Sequence, residues 1–262
     1  MIAIEPGEGS IPSCGAEASV IPASHLRVAG ITPFTTIDFP GKLSAVAFLQ
    51  GCPWRCIYCQ NPWMQPADFD PAYEHDSWEK LEGLLKRRRG LLDAVVFSGG
   101  EATADPALPS AMRAVREMGF AVGLHTAGIL PQRLAAVLPL TDWVGLDVKA
   151  PPEDAALYER VAGRRHAAAH FVESFRLIRE AGVALECRTT AHPDWLTDEK
   201  LLEVGRWLER EGVETFALQI HRNPPGELFP RFPAVGTDYP APETMEWLRA
   251  HFAHFIERRN DR

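Results

Sequence analysis

Three cysteines that lie within eight residues are the part of this chain best suited to chemistry. Cys52, Cys56 and Cys59 follow the spacing C-x3-C-x2-C, on the loop that leaves a predicted buried strand at 43–49. Three thiolates held close together form a soft, anionic site that suits an iron–sulfur cluster or zinc. A closed structural zinc site takes four protein ligands, and no cysteine or histidine follows directly after the motif. The spacing therefore favours a cluster of four irons in which three thiolates leave one iron open to a small ligand.

The fourth predicted strand, at 143–149, carries an acid and a base on one face. Asp147 and Lys149 share that face because alternate residues of a strand point to opposite sides, and the apolar set should face the helices. Buried charges are costly unless they pair or bind something, so the two form either a structural ion pair or a site for a polar ligand. Arg188 on the fifth strand could hold a carboxylate through its planar fork, or pair with Glu186 or Asp147.

The cysteine spacing, with Tyr58 directly before the third cysteine, resembles that of the radical S-adenosylmethionine (SAM) superfamily. The flanking segments 37–41 (IDFPG), 50–52 (QGC) and 60–62 (QNP) resemble the activating proteins of anaerobic ribonucleoside-triphosphate reductase, which are glycyl-radical enzyme activases. The similarity runs from about residue 30 to about residue 221. It implies an α/β fold, an open, TIM-like partial (β/α)6 barrel with its site at the carboxyl ends of the strands.

The resemblance also implies cofactors and partners. The three cysteines would hold one [4Fe-4S] cluster, and SAM would bind its open iron. An electron from a flavodoxin- or ferredoxin-type donor would allow SAM to be cleaved to methionine and a 5′-deoxyadenosyl radical. In the resembling family this radical takes a hydrogen atom from a glycine of the partner reductase. The protein's part is to position SAM and exclude water.

A Gly-Gly-Glu sequence at the end of the second predicted strand adds to the resemblance. The two glycines let a ligand approach the backbone closely, and in the superfamily this backbone binds the SAM amino group. Ala127 stands where related activases often have the asparagine of Thr-Asn-Gly. The residues predicted to bind SAM, from the resemblance and in the case of Arg188 from its inward position alone, are Tyr58, Gly99, Gly100, Glu101, Thr126, Asp147, Lys149 and Arg188.

Two other functions fit parts of the pattern. A radical SAM enzyme that acts on a small molecule, such as a 7-carboxy-7-deazaguanine synthase, shares the cysteine spacing and a short barrel, but the segments 38–41 and 60–62 favour an activase. A zinc or electron-transfer module without enzyme activity needs only the cysteines. The inward charges at 147 and 149 and the glycines at 99 and 100 argue against such a module.

Strands and helices alternate along the chain, which predicts βαβ units and a parallel sheet. The predicted strands are 43–49, 93–97, 120–125, 143–149, 183–189 and 213–220, after a short edge strand within 25–34. The predicted helices are 77–89, 107–118, 131–138, 166–181, 197–210 and 243–257, and the proline-dense stretch 224–242 is predicted to be irregular. A dinucleotide-type glycine fingerprint is missing after the first strand, which favours a partial barrel over a doubly wound sheet.

Composition limits the remaining possibilities. A chain of 262 residues with a formal net charge of −8 is long enough for one large domain and is a poor general binder of nucleic acid or acidic membranes. We expect a flexible tail at 1–24 and one radical SAM domain at 25–262. Clustered thiols without an evident signal peptide or apolar run of 18 residues predict a cytoplasmic protein with no membrane span. The sequence also predicts that Cys187 is a small buried residue and that His125, His192 and His221 are structural.

Overall fold

In the part of the chain that the structure describes, eight strands form one sheet in which neighbours along the chain are neighbours in space. The sheet is seen in a computed structural model that describes residues 20–223 and 232–259. The strands are β1 Val28–Thr35, β2 Ser44–Leu49, β3 Ala94–Gly99, β4 Ala121–Thr126, β5 Trp143–Asp147, β6 Ala184–Ala191, β7 Thr215–Ile220 and β8 His254–Arg258. β1 runs antiparallel to β2, and every later pair is parallel. β1 and β8 are the two edges, so the sheet is open rather than closed.

In residues 20–223 and 232–259, seven α-helices connect the strands. They are α1 Trp78–Arg87, α2 Leu108–Glu117, α3 Pro131–Val137, α4 Ala155–Ala162, α5 Ala167–Ala181, α6 Asp198–Arg210 and α7 Pro242–His251. Side chains of Ser77, Asp154 and Thr197 cap α1, α4 and α6 by accepting backbone N–H groups of the first turn. The apolar faces of the helices bury a continuous core against the outer side of the sheet. No helix in the described ranges has the length and apolarity needed to cross a membrane.

The inner side of the sheet is divided into an apolar part and a charged part. Phe39, from the β1–β2 connection, stacks on Trp143 at 5.2 Å and packs with Val46 and Val96 in a second, small core. This core fills the bottom of the half-barrel on the side of the early strands. On the side of the late strands, the fully buried Glu186 instead pairs with an arginine of β8. The upper end of the half-barrel is left as a cavity.

The predicted fold class is confirmed, because the sheet is open, mostly parallel and covered by helices on one side. The six predicted strands correspond to β2–β7, and the predicted edge strand is β1. The predicted crossing at 224–242 lies partly, and the predicted tail at 1–24 mostly, outside the described residues. The boundary between tail and domain therefore stays a prediction.

The predicted helix at 243–257 is wrong in its second half. α7 ends at His251, and His254–Arg258 form β8, which pairs in parallel with β7. Phe252 takes an extended conformation and packs its buried ring 5.0 Å from Phe216. Burial of this ring and of Phe255 against the same partner outweighs the helical pattern of the preceding residues.

Candidate active site

A cavity of about 690 Å³ opens at the carboxyl ends of the parallel strands. This is the end at which barrel enzymes place their chemistry. All three cysteines of the motif line it, together with the ends of β3–β8. Of the residues assigned to SAM from the sequence, those that line the cavity are Tyr58, Gly99, Gly100, Thr126, Asp147, Lys149 and Arg188. Glu101 is not among the lining residues.

The cysteine loop is held from outside by the last turn of α4. The N–H groups of Arg55 and Ile57 donate to the carbonyls of Ala162 and Val161, each at 3.1 Å. These carbonyls are free to accept because the last carbonyls of a helix have no partner within the helix. Gly163 ends α4 with φ +66°, and a Cβ at this position would lie 2.6 Å from the carbonyl carbon of Arg55. The close approach of α4 to the loop therefore requires glycine here.

The three thiols of the motif are half-buried and free. Burial, followed by the negative charge of Glu101, raises the pKa of the Cys52 thiol to about 12, and burial also raises the pKa of Cys56. Across residues 20–223 and 232–259, no three His, Cys, Asp or Glu side chains converge closely enough to hold a single metal ion. Three soft thiol donors that line one cavity have the chemistry of ligands for an iron–sulfur cluster.

Glu101 is buried, and its side chain is hydrogen-bonded to several parts of the chain. Its carboxylate accepts hydrogen bonds from Trp54 Nε1 (3.3 Å), Thr103 N (3.3 Å) and Oγ1 (2.7 Å), Thr126 Oγ1 (2.7 Å) and Ala127 N (3.0 Å). These donors come from the cysteine loop and from the ends of β3 and β4. The side chain of Glu101 therefore ties three cavity-lining segments together, and the hydroxyl of Thr126 already donates within the protein.

Gly100 is also constrained by the protein itself. A Cβ at this position would lie 2.5 Å from the carbonyl oxygen of Gly51, and the next N–H group, that of Glu101, donates to the same oxygen at 3.0 Å. The Gly-Gly-Glu segment thus packs directly on the residue before the first cysteine. The glycines bring the end of β3 against the cysteine loop, and the backbone beside them faces the cavity.

Asp147, Lys149 and Arg188 form one charged group at the ends of β5 and β6. Arg188 donates through Nε and Nη2 to Asp147 Oδ1 at 3.1 and 2.9 Å, and Lys149 Nζ lies 3.8 Å from Asp147 Oδ2. Burial alone lowers the pKa of Lys149, but Cys56, Tyr58 and Asp147 together outweigh it and place this pKa well above its usual range. With two cations around one carboxylate, the group keeps an excess positive charge at the cavity.

The aromatic residues beside this group enclose the lysine. Lys149 Nζ lies 5.5 Å from the centroid of the Trp54 ring and 5.6 Å from that of Tyr58. Tyr58 in turn stacks on Trp195 at 5.2 Å. An ammonium held against two aromatic faces is favourably placed by the ring quadrupoles and is shielded from water. Lys149 is therefore a fixed positive charge beside the cysteines.

His125 is a hydrogen-bonded structural histidine, as the sequence predicts. His125 Nε2 donates to the carbonyl of Asp38 at 3.0 Å, because a carbonyl can only accept, and Nδ1 then accepts from Ser98 Oγ at 3.2 Å. Burial and the charge of Arg188 lower the pKa of His125 well below its usual range, so the ring is neutral. His192 packs among aromatic rings and its Nε2 donates to the carbonyl of Pro233 at 2.9 Å, and Cys187 is fully buried as predicted. His221 also packs among aromatic rings, but neither of its ring nitrogens has a hydrogen-bond partner among the described residues, so its structural role stays a prediction.

Sequence reasoning missed several residues of the site. Arg258 reaches the cavity from the unpredicted β8 and pairs with Glu186 at 2.9 Å. Gly163 belongs to α4, a helix of eight residues that was not predicted. The Asp-x-x-Leu spacing at 154–157 was the available signal, since Asp154 caps this helix by accepting the N–H of Leu157.

The chain is similar in sequence and in fold to several known proteins. The sequence profile of the radical SAM superfamily matches residues 46–208. A provisionally named glycyl-radical enzyme activating enzyme of Methanocaldococcus jannaschii is 30% identical over 200 residues, 73% of this chain and 78% of that protein. A 7-carboxy-7-deazaguanine synthase of Thermococcus kodakarensis is 31% identical over 189 residues, 64% of this chain and 69% of that protein. The solved structure of SuiB from Streptococcus suis bound to S-adenosylmethionine superimposes with a TM-score of 0.63 at 12% identity, covering 81% of this chain and 49% of that one.

Proposed function

The chain belongs to the radical SAM superfamily, and from this we propose that it is an activase that generates a glycyl radical on anaerobic ribonucleoside-triphosphate reductase. Enzymes of this superfamily use a [4Fe-4S] cluster and SAM. The observation that carries the activase assignment is the 30% identity to a glycyl-radical enzyme activating enzyme over 73% of this chain. The segments 37–41 and 60–62 support the reductase as its partner.

The open side of the sheet supports a protein substrate. The cavity is lined from one edge by Ile37 and Pro40 and from the other by Ile256 and Arg258, and β1 and β8 are not paired with each other. A loop that carries glycine could enter through this side, because glycine approaches a buried site without a side chain in the way. The proposed route leads along the β8 edge to the cysteine loop.

The residues of the chain have distinct parts in this function. When bound, the cluster and SAM supply the electron transfer and the 5′-deoxyadenosyl radical. Cys52, Cys56 and Cys59 would hold the cluster, and the backbone at Gly99 and Gly100 would face the SAM amino group. Lys149 would offer a charge-assisted hydrogen bond to the SAM carboxylate. The aromatic rings around Lys149 exclude water from this region.

Replacing Lys149 with alanine is expected to weaken SAM binding by roughly 10- to 1000-fold, because a buried charge-assisted contact is lost. Equilibrium dialysis of SAM with the iron-loaded protein measures the effect. Lys86→Ala is the matched control, since Lys86 also pairs with an acid but is exposed at the end of α1. Unchanged SAM affinity in a folded Lys149→Ala protein that retains its iron would show that Lys149 is only the partner of Asp147.

The activase proposal is tested by mixing the reduced, SAM-loaded protein with an anaerobic ribonucleotide reductase in the absence of oxygen. We expect an organic radical signal on the reductase whose doublet splitting collapses when its glycine is deuterated. The control is a reductase in which that glycine is replaced by alanine. Absence of the signal, in a protein that still cleaves SAM, would contradict the activase function and leave the radical SAM chemistry intact.

A small-molecule reaction is the second candidate function. The observation that favours it is the 31% identity to a 7-carboxy-7-deazaguanine synthase. Formation of 5′-deoxyadenosine in equal amount with a deazaguanine product, and not with a reductase, would establish this alternative. The activase and the small-molecule reaction both need an electron from a one-electron donor. We also propose that the protein works in the cytoplasm, where thiols stay reduced.

A further inference from the structure

Four exposed arginines surround the outer face of the cysteine loop. Arg55 belongs to the loop itself, Arg160 lies in the last turn of α4, and Arg164 and Arg165 follow that helix. We call these four residues the arginine patch. The patch lies on the side of the loop that faces α4, whereas the thiols line the cavity on the other side. Its sign is opposite to that of the chain, whose formal net charge is −8.

Two guanidinium groups of the arginine patch bind the loop directly. Arg55 Nη1 donates to the carbonyls of Cys52 and Trp54, each at 2.7 Å, and Arg164 Nε donates to the carbonyl of Pro53. Three consecutive carbonyls of the loop are thus covered by cations. The arginine patch is therefore in direct contact with the backbone of Cys52, a predicted cluster ligand.

The arginine patch is only partly balanced by nearby acids, because the carboxylate of Asp154 lies close enough to Arg160 to interact with its charge. Within the described part of the chain, no carboxylate lies within 4.0 Å of a guanidinium nitrogen of any of its four members. The adjacent acid, Glu159, accepts the backbone N–H of His166 instead. The carboxyl end of α4 favours cations through the helix dipole, and this accounts for Arg160. The dipole does not account for Arg55, which lies on the cysteine loop.

We infer that the arginine patch is the docking surface for an acidic protein that donates electrons one at a time. The inference rests on the proposed radical SAM function, which needs an external electron, and adds the face through which that electron enters. One electron would pass from the reduced donor, which is thereby oxidised, to the cluster that Cys52, Cys56 and Cys59 would hold, and no bond would form or break at the surface. Positive charge over the loop attracts an acidic donor and orients it with its redox group towards Cys52–Trp54.

The test compares two reductants with the iron-loaded protein. The probes are a flavodoxin of net negative charge, reduced beforehand, and dithionite, which needs no docking surface. The variant is Arg160→Glu/Arg165→Glu, which changes two exposed side chains and leaves the hydrogen bonds of Arg55 and Arg164 to the loop in place. The charge-matched control is Arg88→Glu/Arg89→Glu, two exposed arginines after α1, at the end of the sheet where the parallel strands begin.

We expect the variant to be reduced by flavodoxin about tenfold more slowly than the parent at low ionic strength, as followed by the visible absorbance in a stopped-flow instrument. The difference should nearly vanish in 1 M salt, where the screening length is about 3 Å. Reduction by dithionite and the iron content should not change. Oxidised flavodoxin should also bind the iron-free parent more tightly than the iron-free variant, and the control should behave as the parent in every assay.

Three results would overturn the inference. Equal rates with flavodoxin for parent and variant would show that the donor docks elsewhere. Equally slow reduction of the control by flavodoxin would show that the net charge of the protein, and not the arginine patch, sets the rate. Slower reduction by dithionite as well would mean that these arginines act on the cluster site and not on docking. The activase proposal is judged separately, because the glycyl radical assay with dithionite as reductant does not require docking.

Discussion

Replacing Cys56 with alanine is expected to abolish both iron binding and SAM cleavage while the chain still folds. Cys56 lies between its two partner thiols in the loop, faces the cavity and is near Lys149. The parent should take up about four irons per chain on anaerobic reconstitution, as a cubane requires, and the variant close to none. Iron and sulfide analysis, together with 5′-deoxyadenosine formation, measures the two effects.

The control for this experiment is Cys187→Ala. Cys187 is fully buried on the helix side of β6 and does not line the cavity, so its loss should cost some stability and leave the iron content unchanged. A parent protein that binds one equivalent of zinc without sulfide would contradict the cluster assignment. So would a Cys56→Ala variant with full iron content.

Replacing Gly163 with alanine is expected to have the second largest effect, although this residue is outside the cavity. A Cβ at Gly163 meets the backbone of Arg55, so either α4 or the cysteine loop must move. Iron content and SAM cleavage should fall at least tenfold, and the thermal midpoint of the iron-free protein should fall as well. The thiols cannot all reach one cluster when the loop that carries them is displaced.

Gly182→Ala provides a matched control for this prediction. Gly182 ends α5 with the same φ of +66°, but a Cβ there would meet nothing within 4 Å. Both substitutions place alanine in the left-handed region, which costs about 1–2 kcal/mol. Only the Gly163 variant should lose iron. Equal iron loss in the two variants would mean that backbone strain, and not contact with the loop, determines the outcome.

Much of the fold could be predicted because the local signals agree with the tertiary structure. The strand before the cysteines and the alternating pattern at Asp147 and Lys149 are set by burial of one face, which periodicity reports directly. The predicted parallel sheet followed from the helices between the strands. The three cysteines and the two charged residues could therefore be assigned to one end of the sheet from the sequence.

The rest of the site depends on contacts between distant residues, which spacing does not report. The helical pattern before β8 continues past His251, and only the position of Phe216 shows why the chain turns extended. Glu101 could be assigned to a Gly-Gly-Glu segment, but its partner Trp54 is 47 residues away. Arg188 had two open interpretations, and the structure shows its pairing with Asp147. Its role towards SAM remains a prediction.

The carboxylate of Glu101 has a consequence for how this protein can change over time. Because it accepts from buried donors of Trp54, Thr103 and Thr126, a substitution of Glu101 would leave all three side chains without this acceptor. We expect these positions to covary among homologous sequences, as one inherited unit. A chimera with a crossover between residues 60 and 95 would separate the indole from its acceptor unless both parents carry the same pair.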